Sequence, residues 1–189
     1  MEKRDVVELF IIVYLIFFAY ISLLQQNYEF FFYCVIFLSI IIIIKIYDYK
    51  YNNAKKSISI LVLIGLAFLG LAHFLGGSIY INGIRLYDQY FILGYDNYIH
   101  ILGAFLITLI SYGYFSPYLN KQFIESPLRL AFLFVVFTLG IGAIVEIIEF
   151  LGVIFLHAQG VGDYTNNAID QLFNIVGSIL ATLIIYFKK

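Results

Sequence analysis

Six apolar runs, each near the length of a bilayer-spanning helix, leave this chain few folds to choose from. They cover residues 6–24, 30–46, 58–75, 98–114, 128–155 and 168–187. About 20 apolar residues cross the hydrocarbon core as an α-helix, and a helix satisfies its own backbone hydrogen bonds there. Composition agrees, with 63% of residues hydrophobic and 12% charged, against roughly 25% charged in a soluble domain. The expected fold is all-α: an integral membrane bundle of about six transmembrane helices, one domain over residues 1–189. The first run follows Met1-Glu2-Lys3-Arg4-Asp5 and lacks a small-residue cleavage pattern before Gln25-Gln26-Asn27, so it is read as a retained helix. A net charge of −1 with no basic stripe argues against nucleic acid as a partner. Membrane lipids are the expected surroundings, and no protein partner is indicated. Cys34, the single cysteine, sits in an apolar run and reads as a small buried hydrophobe.

Orientation follows from the basic residues. With the N-terminus inside, Lys3, Arg4, Lys45, Lys50, Lys55, Lys56, Lys121, Arg129, Lys188 and Lys189 are all cytoplasmic, and Arg85 alone lies outside. The expected location is the cell membrane, multi-pass, with both termini cytoplasmic. Between the third and fourth runs, residues 78–87 alternate weakly around Asn82-Gly83. That dipeptide favours a type I′ turn, so this segment is expected to be a short outer hairpin or an irregular loop anchored by interfacial tyrosines.

Under this topology the polar residues gather near one face. His73 ends the third helix, Asp96 and His100 start the fourth, and Glu146 and Glu149 lie towards the outer end of the fifth. His157, Gln159 and Asp163 fall in the last outer loop, and Asp170 and Asn174 open the sixth helix. Residues three or four apart share a helix face. Asp96 with His100, Glu146 with Glu149, and Asp170, Asn174 and Gly177 each form such a set. A glutamate inside the outer hydrocarbon costs roughly 2.5–3.5 kcal/mol, and two carboxylates on one face repel unless a proton or cation is shared. Blander roles exist for the others. Asp170 can complement a helix dipole, Asn174 can bond between helices, Gly140, Gly142 and Gly177 suit close helix packing, and His73, His157 and Asp163 can be solvated.

These residues also carry a resemblance. Tyr95-Asp96-Asn97-Tyr98-Ile99-His100, Glu146-Ile147-Ile148-Glu149-Phe150, and Asp163 through Asp170 to Asn174-Ile175-Val176-Gly177 resemble the VanZ-like and YjdF-like membrane-protein families. Ala158-Gln159-Gly160 before Asp163 looks closer to the YjdF-like pattern. The resemblance covers residues 71–183 and implies a small polytopic membrane protein. VanZ-like members are associated with reduced susceptibility to glycopeptide antibiotics. This chain lacks their arginine in the last outer loop, which argues against carrying over an anionic substrate.

The polar cluster suggests a site for a divalent metal ion acting on a lipid or envelope substrate. Imidazole and carboxylate together suit zinc or manganese, whereas carboxylates alone suit calcium or magnesium. His73, Asp96, His100 and Glu149 are the candidate ligands, and Glu146, Glu149 and Asp170 the candidate catalytic groups. Gln159, Asp163, Asn174 and Gly177 are candidates for substrate contact or packing. A transporter or channel, with Thr108 and Ser111 along its route, is an alternative, as is a protein that binds a headgroup or partner helix without turnover.

Overall fold

The computed structural model describes residues 3–50, 59–156 and 163–187. Its elements in chain order are α1 (Lys3–Leu24), α2 (Tyr28–Lys50), α3 (Ile60–Ser78), β1 (Tyr80–Ile81), β2 (Ile84–Arg85), α4 (Tyr95–Phe115), α5 (Lys121–Ile124), α6 (Pro127–Leu156) and α7 (Tyr164–Phe187). Six of these are long helices and α5 is a single turn. Five of them, α1, α3, α4, α6 and α7, are long and apolar enough among the described residues to cross a membrane. The sixth, α2, has 23 residues, a rise of about 35 Å at 1.5 Å per residue.

Local chemistry explains where the helices begin. Asn27 Oδ1 accepts the Phe30 amide and Ser59 Oγ accepts the Val62 amide, so α2 and α3 each start on a polar N-cap. Helix α4 starts at Tyr95, ahead of the apolar run at 98, because Asn97 Oδ1 reaches back to the Gly94 amide. Helix α7 starts at Tyr164 because Asp163 Oδ1 accepts the Asn166 amide. Asp170 thus lies in the second turn of its helix rather than at the start. Helix α6 has 30 residues, about 45 Å of rise, and exceeds the roughly 30 Å hydrocarbon core.

The Asn82-Gly83 segment is a hairpin. Tyr80 pairs with Arg85 and Ile81 with Ile84 in antiparallel register. Both turn residues have positive φ, 53° at Asn82 and 80° at Gly83, as a type I′ turn requires.

The helices pack as two groups. Ile11, Tyr14 and Phe18 of α1, Phe30 and Cys34 of α2, and Leu63, Ala67 and Phe74 of α3 form one apolar core. Leu130 and Phe134 of α6 close on Ile185 of α7 in a second. Far from the hairpin, Glu8 ties the first group together, accepting from Arg4 Nε at 2.8 Å and pairing with Lys45 Nζ of α2 at 3.2 Å. Away from the helix contacts the surface is apolar: Leu61, Phe68, Phe132, Phe150 and Leu172 are exposed, while Asp170, Asn174, Ser178 and Thr182 are buried. Water would favour the reverse, so this arrangement suits a bilayer.

Among the described residues, the most extensive helix contact joins α4 to α7. At Gly177 an added Cβ would strike the backbone carbonyl oxygen of Ile101 and the Cβ of Ala104, and a backbone atom of a packed helix has little room to yield. Gly177→Ala is therefore expected to destabilise the fold by about 1–3 kcal/mol. Gly140→Ala, whose new methyl would meet nothing within 4 Å, should leave it unchanged or slightly stabilised. Thermal unfolding of both variants in detergent checks this pair.

Candidate functional site

Helices α4 and α7 run parallel from the hairpin end, so their first two turns face each other over the Gly177 contact. His100 lies at the centre of the resulting cluster. Its Nε2 is 3.5 Å from Asp96 Oδ1, one turn earlier on α4, and 3.7 Å from Asp170 Oδ1 on α7. Its Nδ1 is 3.3 Å from Asn174 Oδ1. One donor atom from each of Asp96, His100 and Asp170 falls within 4.8 Å of the other two.

The surroundings hold these groups in place. Asn166 Nδ2 donates to Asp170 Oδ2 at 2.6 Å, leaving Oδ1 buried without a hydrogen-bond partner among the described residues. The Asp170 side chain is only 2% exposed and Asn174 4%. From α6, Glu146 is 9% exposed, and neither of its carboxylate oxygens has a hydrogen-bond partner among the described residues. Buried polar groups are normally hydrogen-bonded, so this concentration of unpaired oxygens leaves capacity to hold something. Gly142, one turn before Glu146, makes room for the site: a Cβ there would come within 2.6 Å of Asn174 Nδ2 and 3.1 Å of Gln171 Oε1.

His73 stands apart from the trio. Its ring stacks on Phe30 and Phe37 and meets Phe74 and Tyr87 edge-on, and its Nδ1 is 2.6 Å from the Tyr87 hydroxyl. Burial pushes the Tyr87 phenol well above its ordinary range, so the hydroxyl keeps its proton, and the imidazole tautomer sets which partner donates in the bond to Nδ1. The hairpin aims Tyr87 here. Leu86 N donates to Ile79 O at 2.8 Å, and Arg85 is clamped to Asp88 at 3.1 and 3.0 Å. Gly76 lets the Tyr87 and Tyr95 rings lie against α3, with Tyr95 Oη donating to Ala72 O at 2.9 Å.

Two cavities beside the cluster share part of their lining. A chamber of about 200 Å³ runs between α2, α3, α4, α6 and α7, with His73, His100, Glu149 and Asn174 among its lining. A smaller space of about 30 Å³ has Glu29, Arg85, Asp96 and Asn166 on its walls. Tyr33, His73, Tyr87 and Glu149 line both.

Of the residues singled out in the sequence, Asp96, His100, Asp170 and Asn174 converge, with Glu146 facing them from α6. Glu149 lines both cavities. His73 lines both cavities without joining the trio. Asp163 caps α7, Gly177 sets the helix approach, and Gln159 and His157 lie outside the described residues. Asn166, Tyr87 and Gln171 are participants the sequence reading did not single out. The i,i+4 spacing of Asn166 before Asp170 was the one local signal among them.

A family model described as "Predicted membrane protein (DUF2238)" matches residues 6–189. No curated protein and no solved structure matches the chain.

The His73–Tyr87 bond allows a test of how the hairpin is held. Tyr87→Phe removes the hydroxyl and strands His73 Nδ1, a loss of about 1–3 kcal/mol. The double variant His73→Phe/Tyr87→Phe replaces both partners with apolar rings and should recover part of that loss. Equal or greater destabilisation of the double variant in thermal melts would show that this bond does not seat the hairpin.

Proposed function

The chain belongs to this DUF2238 family of predicted membrane proteins, and from that premise we propose that it holds a divalent cation between Asp96, His100 and Asp170 and uses it on a membrane lipid. The observation that carries this reading is the way the three ligands are oriented. In a tetrahedral shell with bonds of about 2.1 Å, neighbouring donor atoms sit about 3.4 Å apart. The His100 Nε2 distances to the two aspartates, 3.5 and 3.7 Å, are close to that spacing. Metal-binding imidazoles commonly give their other ring nitrogen to an oxygen acceptor, which fixes the tautomer, and Asn174 Oδ1 occupies that place. Ligating carboxylates are likewise steadied on their second oxygen, as Asn166 steadies Asp170.

Charge supports the same reading. Asp96, Asp170, Glu146 and Glu149 surround His100, and Arg85, the basic residue on the cavity wall, is engaged by Asp88. A divalent cation offsets this excess where desolvation makes it most costly. A cation here would polarise a substrate oxygen or activate water, with Glu146 placed to accept the proton. Thr108 and Ser111, the hydroxyls suggested for a transport route, are bonded to Thr138 Oγ1 and Ile107 O respectively, which disfavours a channel. The link to the VanZ-like and YjdF-like groups belongs to this reading, since Asp96, His100, Glu146, Asp170 and Asn174 carry both the resemblance and the site.

We also place both termini in the cytoplasm and the site at the outer face, on the distribution of lysine and arginine. Ile92→Cys, in the exposed loop before α4, should react with an impermeant maleimide in intact cells, and Glu125→Cys only after permeabilisation. The opposite pattern would invert the topology.

Metal content tests the cation directly. After reconstitution with zinc, manganese or calcium and desalting, the wild type should retain one ion per chain for at least one of them. Asp96→Asn, His100→Ala and Asp170→Asn should lose it while remaining folded, and Asn174→Ala should weaken it about 10–100-fold. Retention by the three ligand variants, or no binding by folded wild type, would refute the proposal.

A further inference from the structure

The chamber beside the cluster is amphipathic along its length. At one end stand His73, His100, Glu149 and Asn174; the remainder is walled by Phe37, Leu69, Ala104, Ile107, Val145 and other apolar side chains. The polar end shares Tyr33, His73, Tyr87 and Glu149 with the lining of the small space walled by Asp96 and Arg85. An apolar cavity of about 150 Å³ stays dry and accepts benzene. By that scale the 200 Å³ chamber has room for about eight carbons of one chain. Left empty, its lining would forgo the dispersion contacts of a packed interior.

The chamber also has a weak side. Helices α1, α2 and α3 pack together, as do α4, α6 and α7, and the two groups are bridged chiefly by α3 against α4. Across the chamber, α2 and α6 touch only sparingly, although Tyr33, Ile36 and Phe37 of one face Val145, Ile148 and Glu149 of the other across it. In a bilayer, the apolar molecules beside such a seam are lipid chains.

We propose that this chamber is the chain subsite of the protein's substrate. It takes about eight carbons of one alkyl or isoprenoid chain, admitted between α2 and α6, and presents the polar group at its end to Glu149 and His100. The substrate class is therefore an amphiphile with one chain next to its reacting group. This rests on the cation reading for its chemistry, but binding of the chain does not require the metal.

The test is photolabelling in lipid nanodiscs with a long-chain alcohol carrying a diazirine midway along its chain. Label should appear on chamber residues such as Leu69 and Ile107. Gly103 lines the chamber, and a Cβ there would have only Leu69 Cδ2 nearby, at 3.8 Å. Gly103→Leu should thus fill the space in a folded protein and cut chamber labelling about tenfold, with metal content unchanged. Gly140→Leu, on the open face of α6, should label as the wild type does. Wild-type labelling confined to bilayer-facing residues, or undiminished chamber labelling in folded Gly103→Leu, would overturn the proposal. The two readings separate cleanly: chamber labelling in a protein that binds no metal supports the subsite and removes the cation, whereas metal without chamber labelling does the reverse.

Discussion

The contact of Gly177 with the Ile101 carbonyl sets the distance and register between α4 and α7, and the polar cluster depends on both. Because the helices run parallel, one close approach fixes a whole face. Ala104 and Ile101 lie against Gly177, His100 against Asn174 and Asp170, and Asp96 completes the set one turn further out. A side chain at 177 would separate these pairs together. In a bilayer, where helices gain no hydrophobic advantage from leaving lipid for one another, small residues and interhelical polar contacts hold such interfaces. Here the same interface supplies cohesion and carries the site.

Around this pair the other helices have distinct tasks. Antiparallel α6 brings Glu146 against the cluster, with Gly142 making room for Asn174 and Gln171. Helices α2 and α3 contribute a wall of aromatic rings packed around His73, and the hairpin adds Tyr87 to it. The result is a polar group of residues at one end of a bundle with an apolar chamber beneath it. This geometry can seat a molecule that is itself polar at one end.

Much of this was legible in the sequence, because both hydrophobic span length and helical periodicity are local properties. The apolar runs located the helices, and the i,i+4 spacings of Asp96 with His100 and of Asp170 with Asn174 identified faces that do meet. Asn82-Gly83 was readable as a turn because few residues accept positive φ. What was hidden depends on partners distant in the chain. His73 was grouped with the other ligands by its place at a helix end, yet rings from α2 and the Tyr87 hydroxyl, 14 residues on, hold it elsewhere. The start of α7 was set too late because the polar turn at 164–167 has no apolar periodicity, although Asp163 caps it. The chamber leaves no mark in a linear pattern, since its walls come from five helices.

On the reading proposed above, Asp96, His100 and Asp170 surround one cation, with Asn174 and Asn166 orienting the ligands. Anomalous diffraction from crystals of manganese- or zinc-loaded protein tests it most directly. One strong peak should stand within bonding distance of His100 Nε2 and of an oxygen from each aspartate, with Asn174 still on His100 Nδ1. A well-ordered cluster with no peak in metal-loaded crystals, or a peak held by other residues, would contradict it.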